Sequence, residues 1–408
     1  MKFITNISKE EYQNYFKNSE YSTFLQSYEW GQFCLKGKNM QPYYVGLVDD
    51  KNKIIAATLL LKKPLPFGKC YFYAPRGFIF DFNNQDLLIK FTTEIKAFMM
   101  KQGAIYLTID PEIMYQELNT DATVIPNGKN NFNIHQSLLK LGYKHKGFNK
   151  SYENNQPRYT FVIDLDDNFS TIEAKMTKSF IKNVEKSKNL GVEFIVGDEN
   201  DLDTFNNIYN KTKERDDFIG FDQDYYRNFY LTMHPANMAE IFLCKIYPKV
   251  IIKNLQTELD QVNKDLKIIS NQNKINILEN QKNKLAKDIE FYLNYQNEES
   301  IVVSSHIMGF YNDSAVALYA GNLKEFQNTY ANNFLYHEKI KYAHEIGCKR
   351  TDLFGVTGDP KTTYKNLAGI YEFKKQLGGN LIEYIGEYEL IINKLWYILL
   401  DIYRKIKY

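Results

Sequence analysis

Two charged residues stand in settings that chemistry can use. Asp110 closes the apolar run Ala104-Ile105-Tyr106-Leu107-Thr108-Ile109 and is followed by Pro111. A carboxylate at the carboxyl end of a buried strand is placed to hold an amine. The same Asp-Pro pair also reads as a turn former. Lys374 lies beside Phe373 and shortly before Gly378-Gly379. A cation there can face a developing oxyanion or a phosphate; a lone lysine is also commonly a solvated surface group. Lys175, Lys178, Lys182 and Lys186 recur at spacings of three and four. On one helix they form a single cationic face, suited to a phosphate backbone or to solvent.

Several chemistries are missing from the sequence. It has no Gly-rich phosphate loop, no strand-linked dinucleotide fingerprint and no nucleophile elbow. The six histidines show no metal-ligand spacing, and no metal or cofactor is expected. Cys34, Cys70, Cys244 and Cys348 are far apart, which fits reduced thiols better than a disulfide framework. With 51 basic and 49 acidic residues the net charge is +2, so any nucleic-acid contact must come from local patches. The N-terminus lacks a signal-peptide core, and no apolar run nears the roughly 20 residues that span a bilayer. A cytoplasmic protein is the expectation.

Hydrophobic periodicity outlines the elements that must carry these residues. Segments 43–48 and 54–61 read as a strand pair around a polar turn, 70–73 as a strand, 87–100 as a helix and 104–109 as a buried strand. Residues 114–132 read as loop. Strand 158–165 precedes a helix that Ser170 to Glu173 would open as a capping box and Gly191 would close. Segment 301–322 reads as two strands turning at Asn312-Asp313, followed by a helix over 329–346 and a strand around 351–355. The strand pair, helix and strand thus occur twice. That weak duplication suggests an acetyltransferase-type α/β (α+β) fold. The Gly-rich turn that cradles coenzyme A is absent, so a different acyl donor is implied.

Within the second unit Ile252, Leu255, Leu259, Val262 and Leu266 repeat at alternating spacings of three and four, and Leu278, Leu285, Ile289 and Tyr292 continue the stripe. This is the heptad pattern of an antiparallel helical pair. The expected organisation is therefore residues 1–155 as one domain, 156–247 with 299–395 as a second, 248–298 as an inserted coiled-coil arm, and 393–408 as an amphipathic helix. The last segment mixes Trp396, Ile398, Leu399, Leu400, Ile402 and Ile406 with Lys394, Arg404, Lys405 and Lys407. It fits a helix lying in a bilayer interface or one docked on the protein's own core.

The motifs FLQSYEWG, YAPRGFIFDF, YLTIDP, HKGF, QPRYTF, TKERDDF, ALYAGN, DLFGV, YEFKKQLGG and EYIGEYE run almost end to end. In order and spacing they resemble the Fem/MurM family of peptidoglycan bridge-forming aminoacyltransferases, whose tRNA-using members from Gram-positive cocci also carry the arm. The resemblance implies two tandem acetyltransferase-like (GNAT-like) domains and no cofactor. The donor would be an aminoacyl-tRNA. The acceptor would be the side-chain amine on the third stem-peptide residue of a precursor, either lipid II or UDP-MurNAc-pentapeptide. The chemistry would be aminolysis of an activated ester, in which the enzyme aligns substrates and stabilises the oxyanion.

By this resemblance Lys374 is the oxyanion or tRNA-end cation, Phe373 packs the terminal adenosine and Asp110 orients the amine. Tyr225 and Tyr319 line the precursor site, and Tyr106 and Gly321, from matched motifs, are assigned to substrate binding. Two positions depart from the family pattern. Cys34 and Phe221 stand where members often carry a Lys and an Arg that bind precursor phosphates, and Lys36, Arg76 or Arg215 is expected to substitute. The loss of those cations also fits a non-catalytic binding module on the same scaffold. The expected partners are aminoacyl-tRNA, the precursor, the inner face of the membrane as a peripheral contact, and related bridge-forming enzymes.

Overall fold

Alternating apolar residues punctuated by turns build two sheets from this chain. The computed structural model describes residues 1–150 and 155–407. The side chains of Ile406 and Lys407, assigned above to the C-terminal helix, lie outside the described residues, as does Tyr408. In chain order the strands are β1 (Lys2–Ile4), β2 (Gln41–Val48), β3 (Ile54–Leu65), β4 (Lys69–Ala74), β5 (Ala104–Ile109), β6 (Met114–Glu117), β7 (Tyr143–His145) and β8 (Tyr159–Asp164). They continue with β9 (Glu193–Val196), β10 (Ala239–Ile246), β11 (Ile301–Tyr311), β12 (Ser314–Asn322), β13 (Arg350–Val356), β14 (Asn380–Tyr384) and β15 (Tyr388–Ile391). One sheet is ordered β1-β2-β3-β4-β5-β15-β7 and the other β6-β14-β8-β13-β12-β11-β10-β9.

Each sheet holds one parallel pair, β4 with β5 and β12 with β13. Parallel neighbours need a crossover. Helix Gln85–Lys101 supplies the first and helix Ala331–Glu345 the second. Every residue of β5 is buried, which explains its unbroken apolar run. The halves also share a core: Phe24, Trp30 and Phe33 pack with Tyr225, Phe229, Ile307 and Val316.

Two strands cross the expected domain boundary. β15, counted above with the second domain, fills the gap between β5 and β7 of the first sheet. β6, in the stretch read as loop, pairs with β14 at the edge of the second sheet. Four residues gave too short a pattern to announce that strand.

The inserted arm consists of helices Pro248–Ile268 and Gln272–Leu293, which fold back on one another through a three-residue turn. Leu255, Val262, Leu285 and Tyr292 are buried along their seam. The lysine-bearing helix, by contrast, is two helices. Asn168 caps Phe169–Ala174, and Thr177 caps Lys178–Leu190. The expected capping box is absent; Glu173 instead meets Nε2 of His337 at 2.7 Å. The break is held by the Thr177 amide donating to the Gln376 carbonyl at 2.9 Å. It removes Lys175 from the stripe and leaves it paired with Asp167 at 3.0 Å. Gly191, with φ +83°, ends the second helix as expected.

Candidate active site

Because β4 and β5 run parallel, their carboxyl ends lie side by side, with Ala74 opposite Ile109. The chain turns after β4 through Ala74-Pro75-Arg76, and Arg76 adopts φ +53°. This brings the Arg76 amide to Oδ1 of Asp110 at 2.7 Å, while the Tyr73 hydroxyl donates to Oδ2 at 2.8 Å. Burial pushes the Asp110 carboxyl up to about 7. Gln26 props the turn from behind. Its Nε2 donates to the Pro75 carbonyl at 2.8 Å, and its Oε1 accepts from the Leu59 amide at 2.8 Å and the Thr58 hydroxyl at 2.9 Å. The FLQ motif therefore acts as a buttress, a role its residue types alone did not disclose. A cavity of about 250 Å³ opens beside Asp110, with Arg76, Phe78, Pro111, Glu112 and Arg350 in its wall.

In the second half the register between β13 and β8 slips between Asp352 and Gly355, and Phe354 adopts φ +62°. The irregularity releases two carbonyls from the ladder. Lys374, from helix Lys365–Lys375, donates to both, Phe354 O and Gly355 O, each at 2.9 Å. Lys374 is 8% exposed, so burial lowers its ammonium to about 8, against the pull of Asp352. It is not a solvated surface lysine. Asp352 in turn accepts from the Phe354 amide at 2.6 Å and from the Thr160 hydroxyl.

A chain of buried groups connects the two centres. The Arg76 guanidinium, held by the Pro157 carbonyl at 2.7 Å, lies 4.6 Å from the centre of the Tyr384 ring. The Tyr384 hydroxyl donates to Oδ2 of Asp352 at 3.4 Å. Asp110, Arg76, Tyr384 and Asp352 thus form an interior series that reaches Lys374 through the Phe354 main chain, and neither Asp110 nor Lys374 is in the wall of the neighbouring cavity.

The other sequence-selected residues divide. Phe373 packs edge-on against Tyr336, 5.0 Å between ring centres, and near Phe180 at 6.3 Å. Tyr225 and Tyr319 join hydroxyls at 2.9 Å. Gly321 has a packing role: a Cβ there would meet the Tyr209 backbone at 3.0 Å. Arg215 is engaged with Asp216 and with the Asn322 carbonyl at 2.9 Å. Tyr106 is buried, stacked on Tyr71 and accepting from Arg404 at 2.6 Å, so the C-terminal helix covers it.

Lys36 is exposed. The cation that stands by the two departures is Lys38, which the sequence did not single out. Its ammonium lies 4.9 Å from the Trp30 ring and 5.3 Å from those of Phe221 and Tyr225. Burial lowers it, and the neighbouring Cys34 partly opposes that shift. A second unanticipated lysine is Lys339, which donates to Nδ1 of His306 at 3.1 Å and lies 3.8 Å from the Tyr336 ring. Lys339 sits one ring behind Phe373, and burial with nearby Lys374 holds it well below the ordinary lysine range.

The FemAB family model matches residues 7–405. The chain belongs to the FemAB family. Aminoacyltransferase FemA of Staphylococcus epidermidis is 30% identical over 423 residues, covering 100% of this chain and 99% of the relative. Aminoacyltransferase FemA of Staphylococcus aureus is 30% identical over 430 residues, with the same shares covered. The crystal structure of FemX superposes with a TM-score of 0.77 at 25% identity, over 98% of this chain and 100% of that one. As a FemAB member the chain is an aminoacyltransferase with a mixed α/β fold of two sheets.

Proposed function

We propose that this FemAB protein transfers an amino acid from aminoacyl-tRNA to the side-chain amine of the third stem-peptide residue of a peptidoglycan precursor, building an interpeptide bridge. The acceptor is lipid-linked or nucleotide-linked, and the work takes place in the cytoplasm or at the inner face of the membrane. The observation that carries this reading is the buried Lys374 ammonium, which is linked through the Phe354 main chain, Asp352, Tyr384 and Arg76 to Asp110.

In ester aminolysis the amine attacks the aminoacyl carbonyl, an oxyanion forms, and the amine sheds a proton as the tRNA hydroxyl leaves. An ammonium has three N–H groups. Two of those on Lys374 are fixed by the Phe354 and Gly355 carbonyls, which aims the third and fixes the cation before charge develops. Asp110, shifted up to about 7, is tuned to hold the acceptor ammonium and to take a proton near neutral pH. Lys38 offers the cation that the positions of Cys34 and Phe221 lack.

The test mixes the protein with glycyl-, alanyl- or seryl-tRNA and with lipid-linked or nucleotide-linked precursor, and follows the stem peptide by mass spectrometry. A stem lengthened by one or more residues is expected. Precursor binding without a lengthened product under any donor would overturn the enzymatic reading.

A further inference from the structure

The C-terminal helix Lys394–Lys407 docks on β5 by one face only. Trp396, Tyr397 and Leu400 are half-buried there. Arg404 reaches Tyr106, the Tyr397 hydroxyl donates to Glu389, and Asn393 caps the first turn at the Trp396 amide, 3.2 Å. The opposite face is apolar. Leu395 is 67% exposed, Ile398 56%, Leu399 49%, Ile402 49% and Tyr403 59%. These positions recur at intervals of three and four and so form one stripe. A surface helix ordinarily turns such a stripe inward; this one turns it out.

A second exposed aromatic stands at the edge of the docked face. Phe67, at the tip of the β3–β4 hairpin, is 83% exposed, and its ring centre lies 5.8 Å from that of Trp396. Two cations lie beside the docked aromatics. Lys69 sits 5.2 Å from the Trp396 ring and Lys144 5.8 Å from the Tyr397 ring. Over 394–407 the sequence carries Lys394, Arg404, Lys405 and Lys407 against one carboxylate, Asp401. Asp401 is itself paired with Lys405 at 3.0 Å. Fourteen residues of helix span about 21 Å, and among the described residues no helix is long and apolar enough to cross a membrane.

We propose that this outward stripe, with Phe67 beside it, is a docking surface for a bilayer containing anionic lipid. The helix lies in the interface plane, its aliphatic side chains enter the acyl boundary, and Lys69, Lys144, Lys394 and Lys405 meet lipid phosphates. Charge decides between this occupant and a second copy of the chain, since self-association through the same face would oppose two sets of these cations. The inference deepens the placement at the inner membrane face. It rests on side chains that take no part in transfer.

The test is flotation of the full chain with vesicles of phosphatidylcholine alone and of phosphatidylcholine with phosphatidylglycerol. The chain is expected to float with the anionic vesicles and to release as salt is raised. Replacing Ile398 and Ile402 by Ser should weaken vesicle binding about tenfold per side chain. Phe67→Ser should weaken it similarly. Lys394→Glu with Lys405→Glu should abolish the preference for phosphatidylglycerol. Melting temperature and transfer to a soluble nucleotide-linked acceptor should stay unchanged in all of them. No flotation of the wild type, or equal flotation of the Ser variants, overturns the proposal. So does a dimer in light scattering that the Ile398→Ser, Ile402→Ser chain converts to monomer. A wild type that floats but transfers nothing counts against the enzymatic reading and leaves this one standing.

Discussion

Lys374→Met separates the two things the ammonium does. The substitution keeps an aliphatic stem and removes the charge. In the folded protein the Phe354 and Gly355 carbonyls lose their donor, and an unsatisfied buried acceptor costs about 1–3 kcal/mol. Against that, burial holds the ammonium at about 8, well under the ordinary lysine value, which amounts to about 3 kcal/mol of strain on the charged form. The two effects oppose each other, so the melting temperature should move by only a few degrees. The transition state has no such compensation. Loss of one preorganised donor to an oxyanion lowers kcat by about 10²–10³-fold, or about 3–4 kcal/mol, with KM for the acceptor little changed.

The pH dependence gives a second readout of the same group. Rate should fall as pH rises through about 8, because only the ammonium stabilises the oxyanion. Stability from this group moves the other way. Its folded pKa is below the unfolded one, so the unfolded chain binds the proton more tightly and stability rises with pH between about 8 and the ordinary lysine value. The assay is single-turnover transfer from aminoacyl-tRNA to precursor across that range. A Met variant within about threefold of wild type, less than 1 kcal/mol, or one that keeps the same alkaline limb, would remove Lys374 from the chemistry.

Three further outcomes follow from the same geometry. Asp110→Asn should lower kcat by about 10²–10⁴ and erase the acid limb of the rate profile, which climbs as the carboxyl ionises through about 7. Because that carboxyl is raised, its stabilising contribution is greatest below the ordinary carboxyl range and declines up to about 7, so denaturant titrations at several pH values separate the two effects. Gln26→Leu should strand the Pro75 carbonyl and the Leu59 amide, costing about 1–3 kcal/mol for each group. The measurement is the denaturation midpoint, and a midpoint equal to wild type would contradict the buttress. Gly378→Ala should destabilise by about 1–3 kcal/mol. Gly378 has φ +77°, and its Cβ would meet the Lys175 carbonyl at 2.5 Å; an unchanged thermal melt would show that the 175–177 break can move aside.

The fold was legible where the periodicity was long. The arm announced itself through Leu255, Val262 and Leu285 on heptad spacing, and β5 through six consecutive buried residues. It was hidden where the decisive partner is distant in sequence. Nothing local in Met114–Glu117 says that it pairs with β14 more than 260 residues on, as the bond from Gln116 to Glu383 shows. The capping box at Ser170 failed for a local reason, since Asn168 takes the cap of Phe169–Ala174 by accepting from the Thr171 amide, whereas the break before Lys178 rests on the distant Gln376 carbonyl. At the site, Asp110 could be read from its position at a strand end. The burial of Lys374 could not, because it depends on a slip in β13 and on carbonyls twenty residues away. Lys38 went unnoticed because one cation in a chain with 51 basic residues carries no signal until four aromatic rings surround it.

The strand exchange explains how two centres in different sheets hold a fixed relation. Asp110 follows β5 and the Lys374 carbonyls belong to β13, each the parallel strand that ends its crossover. Separate sheets would let those ends drift. Here the chain leaves Asp110 through Pro111-Glu112-Ile113 and within four residues is β6, paired in the second sheet. The return crossing is the EYIGEYE motif. Tyr384 ends β14, lies between Arg76 and Asp352, and is followed at once by Ile385, whose amide donates to the Ile113 carbonyl at 2.8 Å. Gly386, with φ +93°, then turns the chain into β15 against β5. The two crossings run side by side past the interior series and are bonded to each other. To move Asp110 relative to the β13 carbonyls that hold Lys374, the protein must break ladder bonds in both sheets at once. Positional accuracy of this kind is what a reaction needs when its ester is already activated and the enzyme's contribution is alignment.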